Sequence, residues 1–177
     1  MNPAPHLVLI GPMGAGKSSL GRRLADLWGL PFVDLDHEIE TRAGTAIPTI
    51  FACEGESGFR RRECETLAQV LSRESSVVAT GGGAVLDPGN RALIRRHGFV
   101  VHLDIDLDEQ LHRLARDRSR PLLAGADRSE VLARLAAERD GAKKIAFPPE
   151  LEQHRGQARV IEMMSLQNQL LTARQMS

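Results

Sequence analysis

Residues 11–18 match the phosphate-loop pattern G-x-x-x-x-G-K-[ST] without a gap. The apolar run Leu7–Ile10 precedes the pattern, and Leu20, Leu24 and Leu27 follow it at the spacing of one helix face. The pattern therefore lies between a buried strand and a helix, which is the context in which it binds phosphate. Its glycines let backbone N–H groups turn toward phosphate oxygens, and the helix N-terminus adds a positive partial charge. The sequence thus predicts an α/β fold with a phosphate-binding site at this loop.

Six consecutive residues of the loop are expected to contact ATP as co-substrate, with Mg²⁺ as the cofactor: Gly14, Ala15, Gly16, Lys17, Ser18 and Ser19. Lys17 can reach the β- and γ-phosphates, which makes it a candidate catalytic residue. Ser18 can bind Mg²⁺ through its hydroxyl group. The alternative is a glycine-rich turn without a ligand, and the motif and its context together argue against it.

Two aspartates, Asp34 and Asp36, follow the second predicted strand, Phe32–Val33. In an extended segment, a spacing of two residues puts both carboxylates on one side. One aspartate could then hold Mg²⁺ while the other orients or deprotonates a hydroxyl group. The alternative left open is a pair of solvated turn or cap residues, because aspartate is common in such places.

Apolar runs and helical patterns alternate along the chain, which predicts a parallel sheet covered by helices. The further predicted strands are Val77–Ala79, Phe99–Leu103 and Ala158–Ile161, and the predicted helices include Glu56–Arg73 and Arg128–Arg139.

Composition excludes several classes of protein. The 177 residues carry 23 Lys plus Arg and 23 Asp plus Glu, so the formal charge is zero and offers no global field for nucleic acid or an anionic membrane. Cys53 and Cys64 lack metal-ligand spacing, which indicates free thiols in a reducing compartment. No apolar run approaches a membrane span. We therefore expect a cytoplasmic protein that binds neither nucleic acid nor membranes, and a monomer, since no predicted helix shows a wide spare apolar face.

Several arginines and a run of glycines could recognise an anionic substrate. Arg60 lies near the start of a predicted helix, where it could form a bidentate pair with a carboxylate or be merely an exposed helix arginine. The loop Gly81–Gly83 follows a buried strand and permits close approach of the backbone to a ligand, with a plain tight turn as the alternative. The charged region after the fourth strand contains Arg113, Arg120 and Arg139. It could close over phosphates, or it could be a solvated basic face.

Taken in order, the motifs of the chain resemble those of the shikimate kinase family over about its first four-fifths. They comprise Gly11–Ser18, Phe32–Asp36, Ile47–Phe51, the pattern Gly55-Glu56-x-x-Phe59-Arg60-x-x-Glu63, Gly81–Gly83 and Arg120–Leu123. The phosphate loop alone is common to a superfamily, whereas the ordered set is far more specific.

The resemblance implies a single domain over residues 1–177 with the three-layer α/β/α fold of P-loop kinases. Its parallel sheet would have five strands in the order 2-3-1-4-5. The implied reaction converts shikimate and ATP into shikimate 3-phosphate and ADP, on the route to chorismate and the aromatic amino acids. A shikimate-binding segment would span about residues 34–63 and a lid about residues 115–127.

The resemblance also assigns roles on the nucleotide side of the site. Mg²⁺ would lie at Ser18 with help from Asp34. Arg120 would lie in the lid and contact the transferring phosphate as a catalytic residue. Arg113 would stack near the adenine.

On the substrate side, the resemblance makes Asp36 the residue that holds the reacting hydroxyl group and acts as its base. Arg60 and Arg139 would hold the shikimate carboxylate together with Gly82, and Gly83 is expected to contact the substrate from the same loop.

The match ends at Arg139, where the family's usual proline, leucine and tyrosine are replaced by Asp140-Gly141-Ala142. Residues 140–177 are therefore a divergent C-terminal segment, which either forms a working sheet edge or weakens adenine binding. Two other functions stay open: a related P-loop kinase acting on gluconate or a nucleotide, and a nucleotide-binding regulator that has lost catalysis. Arg60 and the three glycines argue against the first, and the intact Lys17 and Asp36 argue against the second.

Overall fold

The structure is a computed structural model that describes residues 6–115, 121–123 and 127–146, with side chains through residue 138. By its internal packing the chain divides into two units, Met1–Ala142 and Lys143–Ser177. The description below concerns the first unit. The predicted single domain over residues 1–177 stays a prediction.

Four strands and six α-helices alternate along the described residues. The strands are β1 (His6–Ile10), β2 (Phe32–Asp34), β3 (Val77–Ala79) and β4 (Gly98–His102). The helices are α1 (Lys17–Trp28), α2 (Leu35–Ala43), α3 (Ile47–Leu71), α4 (Pro88–His97), α5 (Leu107–Leu114) and α6 (Arg128–Ala146). Short 3₁₀ turns lie at Ala84–Leu86 and Pro121–Leu123. None of these helices is both long enough and apolar enough to cross a membrane.

The strands form one parallel sheet in the order β2-β3-β1-β4. This order agrees with the first four strands of the predicted sheet, and the predicted fifth strand, Ala158–Ile161, lies outside the described residues. All five residues of β1 are buried, as expected for the central strand of a parallel sheet. Parallel strands end at the same edge of the sheet, so the segments after β1, β2 and β3 meet there. Those segments carry the phosphate loop, the two aspartates and the three glycines.

The sequence missed two helical segments. Helix α2 was not predicted, because its nine residues contain only two buried apolar side chains, Leu35 and Ile39. The helix predicted over Glu56–Arg73 is part of the longer α3, which starts at Ile47 and is broken at Gly55, where φ is 69° and ψ is −176°. Because φ is positive there, glycine tolerates the break better than any other residue.

A small apolar cluster joins the phosphate loop to the last helices. Its buried members are Met13, Leu114, Leu123, Val131, Leu132 and Leu135. Leu132 is fully buried, so α6 is packed into the first unit along the part of the helix whose side chains are described. Truncating such a side chain to alanine costs about 2–5 kcal/mol of stability. The cluster therefore anchors the phosphate loop from the side of α5 and α6.

Candidate active site

The phosphate loop has the left-handed backbone turns that its glycines permit. Gly14 and Gly16 have φ of 79° and 87°, in the left-handed region. Gly16 precedes α1 and has no side chain, so it offers no side-chain cap to the first N–H groups of the helix. Those groups are left for an anion at the helix N-terminus. The predicted residue Ser19 lies in the first turn of α1 and is exposed.

Lys17 is folded over this loop. Its Nζ donates hydrogen bonds to the carbonyl oxygens of Gly11 at 2.9 Å and Pro12 at 2.8 Å, and the residue is buried. The ammonium group thus lies on the inner side of the loop whose N–H groups would cradle phosphate. This position agrees with the role predicted for Lys17 at the β- and γ-phosphates.

Ser18 and Asp34 offer two adjacent oxygen ligands. The Ser18 hydroxyl donates to Asp34 Oδ2 at 2.5 Å. The chemistry fits Mg²⁺, which binds hard oxygen ligands and commonly takes only one or two protein ligands, with water and substrate phosphates completing its shell. No group of three or more His, Cys, Asp or Glu side chains with metal-binding geometry occurs within the described part of the chain. An ion at Ser18 and Asp34 would therefore depend on the nucleotide for its other ligands.

The prediction that Asp34 and Asp36 lie in one extended segment was wrong. Only Asp34 is extended, because it is the N-cap of α2, and Asp36 already lies in the first turn of that helix. Asp34 Oδ1 accepts hydrogen bonds from the backbone N–H groups of Asp36 at 3.2 Å and His37 at 3.5 Å. Asp34 is thus both a cap residue and the neighbour of Ser18. The sequence left open whether Asp34 is a metal ligand or a cap residue, and this geometry is compatible with both.

A cavity that is open to solvent lies beside the phosphate loop. Its lining combines one arginine, two carboxylates, a glycine loop and apolar side chains: Met13, Asp36, Ile47, Phe51, Phe59, Arg60, Glu63, Gly81, Gly82, Gly83, Pro121 and Leu122. Phe51 and Phe59 form part of the apolar wall of the cavity, and their ring centroids lie 4.8 Å apart. Asp36, Arg60, Gly82 and Gly83, which were all predicted to contact the substrate, lie together in this lining.

Arg60 is held from several sides. Its Nη1 donates to Glu63 Oε2 at 2.8 Å, its Nη2 donates to Glu56 Oε1 at 3.1 Å, and its Cζ lies 5.3 Å from the centroid of the Phe59 ring. Only 22% of the side chain is exposed, so the alternative of an exposed helix arginine is wrong. Burial lowers the pKa of Arg60, but the carboxylates of Glu63 and Glu56 outweigh it and raise the pKa above its ordinary value. The guanidinium group therefore stays charged.

Gly83 explains how the guanidinium group fits against the glycine loop. A Cβ atom at Gly83 would lie 2.5 Å from Nη2 and 2.6 Å from Nη1 of Arg60. These distances are far below ordinary van der Waals contact. The planar head of Arg60 therefore rests on the loop only because residue 83 has no side chain.

Glu63 is a site residue to which the sequence assigned no role. Its side chain is 1% exposed, and its Oε1 is buried without a hydrogen-bond partner among the described residues. A Cβ atom at Gly81 would lie 2.7 Å from this oxygen and 2.9 Å from Asp36 Oδ1, so the two carboxylates flank the same glycine. Burial raises the pKa of Glu63, Arg60 lowers it, and Asp36 and Asp87 add to the net increase. The spacing of three residues from Arg60 on a helix was the available signal.

Helix α5 contacts the phosphate loop directly. Arg113 Nη1 donates to the Gly14 carbonyl oxygen at 3.0 Å, and Arg113 Nε donates to Glu109 at 2.7 Å. The buried Gln110, which the sequence did not single out, donates through Nε2 to the Met13 carbonyl oxygen at 2.9 Å. Arg113 thus lies beside the phosphate loop, and its stacking near the adenine stays a prediction.

Two predicted residues are not brought into the site by the structure. Arg120 lies outside the described residues. Arg139 lies within α6, but its side chain is not among those described. Their roles stay predictions, and so does the lid over about residues 115–127.

Comparison with known proteins decides the family. Residues 13–164 match the protein family described as Shikimate kinase. The chain belongs to the shikimate kinase family.

Individual members of the family resemble the chain over most of its length. The shikimate kinase of Stenotrophomonas maltophilia K279a is 61% identical over 140 residues, which cover 79% of this chain and 78% of that protein. The shikimate kinase of Xanthomonas oryzae pv. oryzae PXO99A is 56% identical over 139 residues, or 78% and 77% of the two chains.

A solved structure agrees with this result. Shikimate kinase from Acinetobacter baumannii in complex with shikimate superposes with a TM-score of 0.80 at 40% identity, and the match covers 97% of this chain and 96% of that one. The fold is therefore the three-layer α/β/α fold of P-loop kinases.

Proposed function

We propose that this chain is a shikimate kinase, which transfers the γ-phosphate of ATP to the 3-hydroxyl of shikimate and gives shikimate 3-phosphate and ADP. The observation that carries the proposal is one cavity lined by Arg60, Asp36 and Met13 of the phosphate loop. In such a cavity Arg60 can bind a carboxylate and Asp36 can accept a hydrogen bond from a hydroxyl group, beside a loop that binds phosphate. The family membership agrees with this substrate.

The carboxylate of shikimate would bind the Arg60 guanidinium, which Glu63 and Glu56 hold in place. Gly82 and Gly83 would bring the backbone close to the same group, and Arg139 would complete this subsite. A planar guanidinium matches a planar carboxylate in a bidentate pair, so it fixes the orientation of the ring as well as its position.

The reacting hydroxyl group would donate a hydrogen bond to Asp36. As its oxygen forms a bond to the γ-phosphorus, the bond between that phosphorus and the bridging oxygen of ADP breaks, and the electron pair leaves with ADP. The hydroxyl proton passes to the Asp36 carboxylate. Positioning and charge carry most of the catalysis in such a reaction.

The nucleotide would bind along Gly14–Ser19. Lys17 would contact the β- and γ-phosphates, and Arg113 would lie beside the nucleotide at its contact with Gly14. Ser18 and Asp34 would hold Mg²⁺, which neutralises charge on the phosphates when it is bound. Arg120 would contact the transferring phosphate.

Several finer points belong to the same proposal. The product would enter chorismate and aromatic amino acid biosynthesis, the enzyme would work as a cytoplasmic monomer, and its partners would be the two small substrates alone. Gel filtration at micromolar concentration checks the oligomeric state. An elution volume of a 19.4 kDa protein is expected, and that of a dimer would contradict it.

The test is a coupled assay for ADP release with Mg²⁺-ATP, run with shikimate, without it, and with shikimate methyl ester. We expect ADP release that depends on shikimate. We also expect a much higher KM for the ester, because the ester lacks the negative charge that Arg60 would bind. Equal ADP release with and without shikimate would refute the proposal, and so would activity on gluconate or a nucleoside monophosphate with none on shikimate.

A further inference from the structure

The substrate cavity is built from both sides of the break in α3. We call residues 47–54 the first arm and residues 56–71 the second arm. The break between them is at Gly55. Ile47 and Phe51 line the cavity from the first arm, and Phe59 and Arg60 line it from the second. The width of this side of the cavity therefore depends on the angle between the arms.

An ion pair joins the arms across the break. Arg62 Nε donates to Glu54 Oε1 at 3.1 Å and to Oε2 at 3.0 Å, and Arg62 Nη2 donates to Oε1 at 2.7 Å. Neither residue lines the cavity. Glu54 also lies against the second arm through its Cβ, which is 2.3 Å from where a Cβ of Gly58 would be. Glycine at position 58 thus lets the end of the first arm rest on the second.

This ion pair can form only in the broken helix. In a continuous α-helix, residues eight apart are separated by about 12 Å along the axis, and side chains meet at spacings of three or four. Glu54 and Arg62 are eight residues apart, yet they make a bidentate contact. An ordinary surface ion pair contributes little, but this one is bidentate and specific to one arrangement of the arms.

We propose that the Glu54–Arg62 ion pair is a positioning pair that fixes the angle between the two arms of α3, and thereby the substrate cavity between Phe51 and Arg60. The expected effect on shikimate binding rests on the proposed function, because the cavity is taken to bind shikimate. Loss of the pair lets the first arm move away from Arg60. The KM for shikimate rises, while the nucleotide site, built on other elements, keeps its KM for ATP.

The test uses Glu54→Gln, Arg62→Gln and the charge-reversed double variant Glu54→Arg/Arg62→Glu. Each single variant is expected to raise the KM for shikimate by about 5- to 20-fold with the KM for ATP within about twofold of the wild type. The double variant is expected to recover a large part of the loss, because opposite charges again face each other. Arg61→Gln is the matched control. Arg61 is mostly exposed and approaches the same Glu54 only at 3.9 Å, so its KM values should stay within about twofold.

Hydrogen exchange of the first arm gives a second readout that needs no turnover. Amides of residues 47–54 should exchange faster in Glu54→Gln and Arg62→Gln than in the wild type, but not in Arg61→Gln. Unchanged exchange in the single variants, or purely additive effects in the double variant, would overturn the positioning role. Wild-type protein that shows no shikimate-dependent turnover would refute the proposed function instead, and the exchange rates would still decide the role of the pair.

Discussion

The contact between Gly83 and Arg60 gives a prediction that separates substrate binding from folding. In Gly83→Ala, the new Cβ would lie 2.5 Å from Nη2 of Arg60 and 2.8 Å from its Cζ, whereas ordinary contact begins at 3.4 Å. The guanidinium group must therefore move by about 1 Å, and a displacement of this size in a positioning group costs about 100-fold in rate. Residue 83 has φ of −103° and ψ of −3°, which alanine adopts without left-handed strain.

The displaced atoms are the end of a flexible side chain, so folding should be almost unaffected. We expect kcat/KM for shikimate to fall about 100-fold, the KM for ATP to stay within about twofold, and the melting temperature to change by less than about 3 °C. Gly89→Ala is the control. Gly89 lies in α4, does not line the cavity, and its added Cβ would approach only Asp87, at 3.0 Å.

Steady-state kinetics with each substrate varied in turn, together with a thermal melt, measures all three quantities. If Gly83→Ala keeps kcat/KM for shikimate within about threefold of the wild type, substrate binding and turnover do not depend on this position of the guanidinium group. If the KM for ATP rises as much as the KM for shikimate, the substitution has disturbed the whole edge of the sheet and not only the Arg60 guanidinium group.

Three further predictions test other parts of the site and the fold. Asp36→Asn should lower kcat by about 10²- to 10⁴-fold and keep ATP affinity, as measured by calorimetry, whereas a fully active variant would exclude Asp36 as the base. Ser18→Ala should raise the Mg²⁺ concentration for half-maximal activity several-fold, and an unchanged Mg²⁺ titration would contradict the ligand assignment. The third concerns His6, where burial lowers the pKa, the hydrogen bond that His6 donates to the Leu71 carbonyl oxygen opposes this, and the charge of His97 adds to the decrease. The unfolded chain therefore binds the His6 proton more tightly than the folded chain does. The contribution of neutral His6 to the free energy of unfolding is fully present above pH 6.5, and it is lost as the pH falls from there through the pKa of the folded state. Urea unfolding between pH 5 and 8 should show this slope, at most about 1.4 kcal/mol per pH unit, and His6→Gln should reduce it.

The strand order and the phosphate loop could be predicted because their signals are local. Apolar runs end at glycine or aspartate, and the loop motif fixes what lies on each side of it. Helix α2 was missed because Leu35 and Ile39 alone do not make a helical period that stands out from a polar stretch. The first arm of α3 was missed for a related reason, since Gly55 interrupts the pattern that would have joined it to the second arm.

The sequence predicted several residues that line the cavity, but it did not predict the contacts among them. Asp36, Arg60, Gly82 and Gly83 could be named from motifs, because each lies at the end of a strand or the start of a helical pattern. The close approach of Gly83 to Arg60 joins segments far apart in the chain, and no local pattern encodes it. Glu63 went unassigned because a glutamate three residues after an arginine is common on solvated helix faces.

The identity of the product tests the proposed function most directly. Wild-type protein, Mg²⁺-ATP and shikimate are incubated, and phosphorus–proton correlation spectra locate the new phosphate. We expect one mole of shikimate phosphorylated at the 3-hydroxyl for each mole of ADP. ADP released without phosphorylated shikimate, or phosphate on another hydroxyl, would contradict the placement of the carboxylate at Arg60 and the reacting hydroxyl at Asp36.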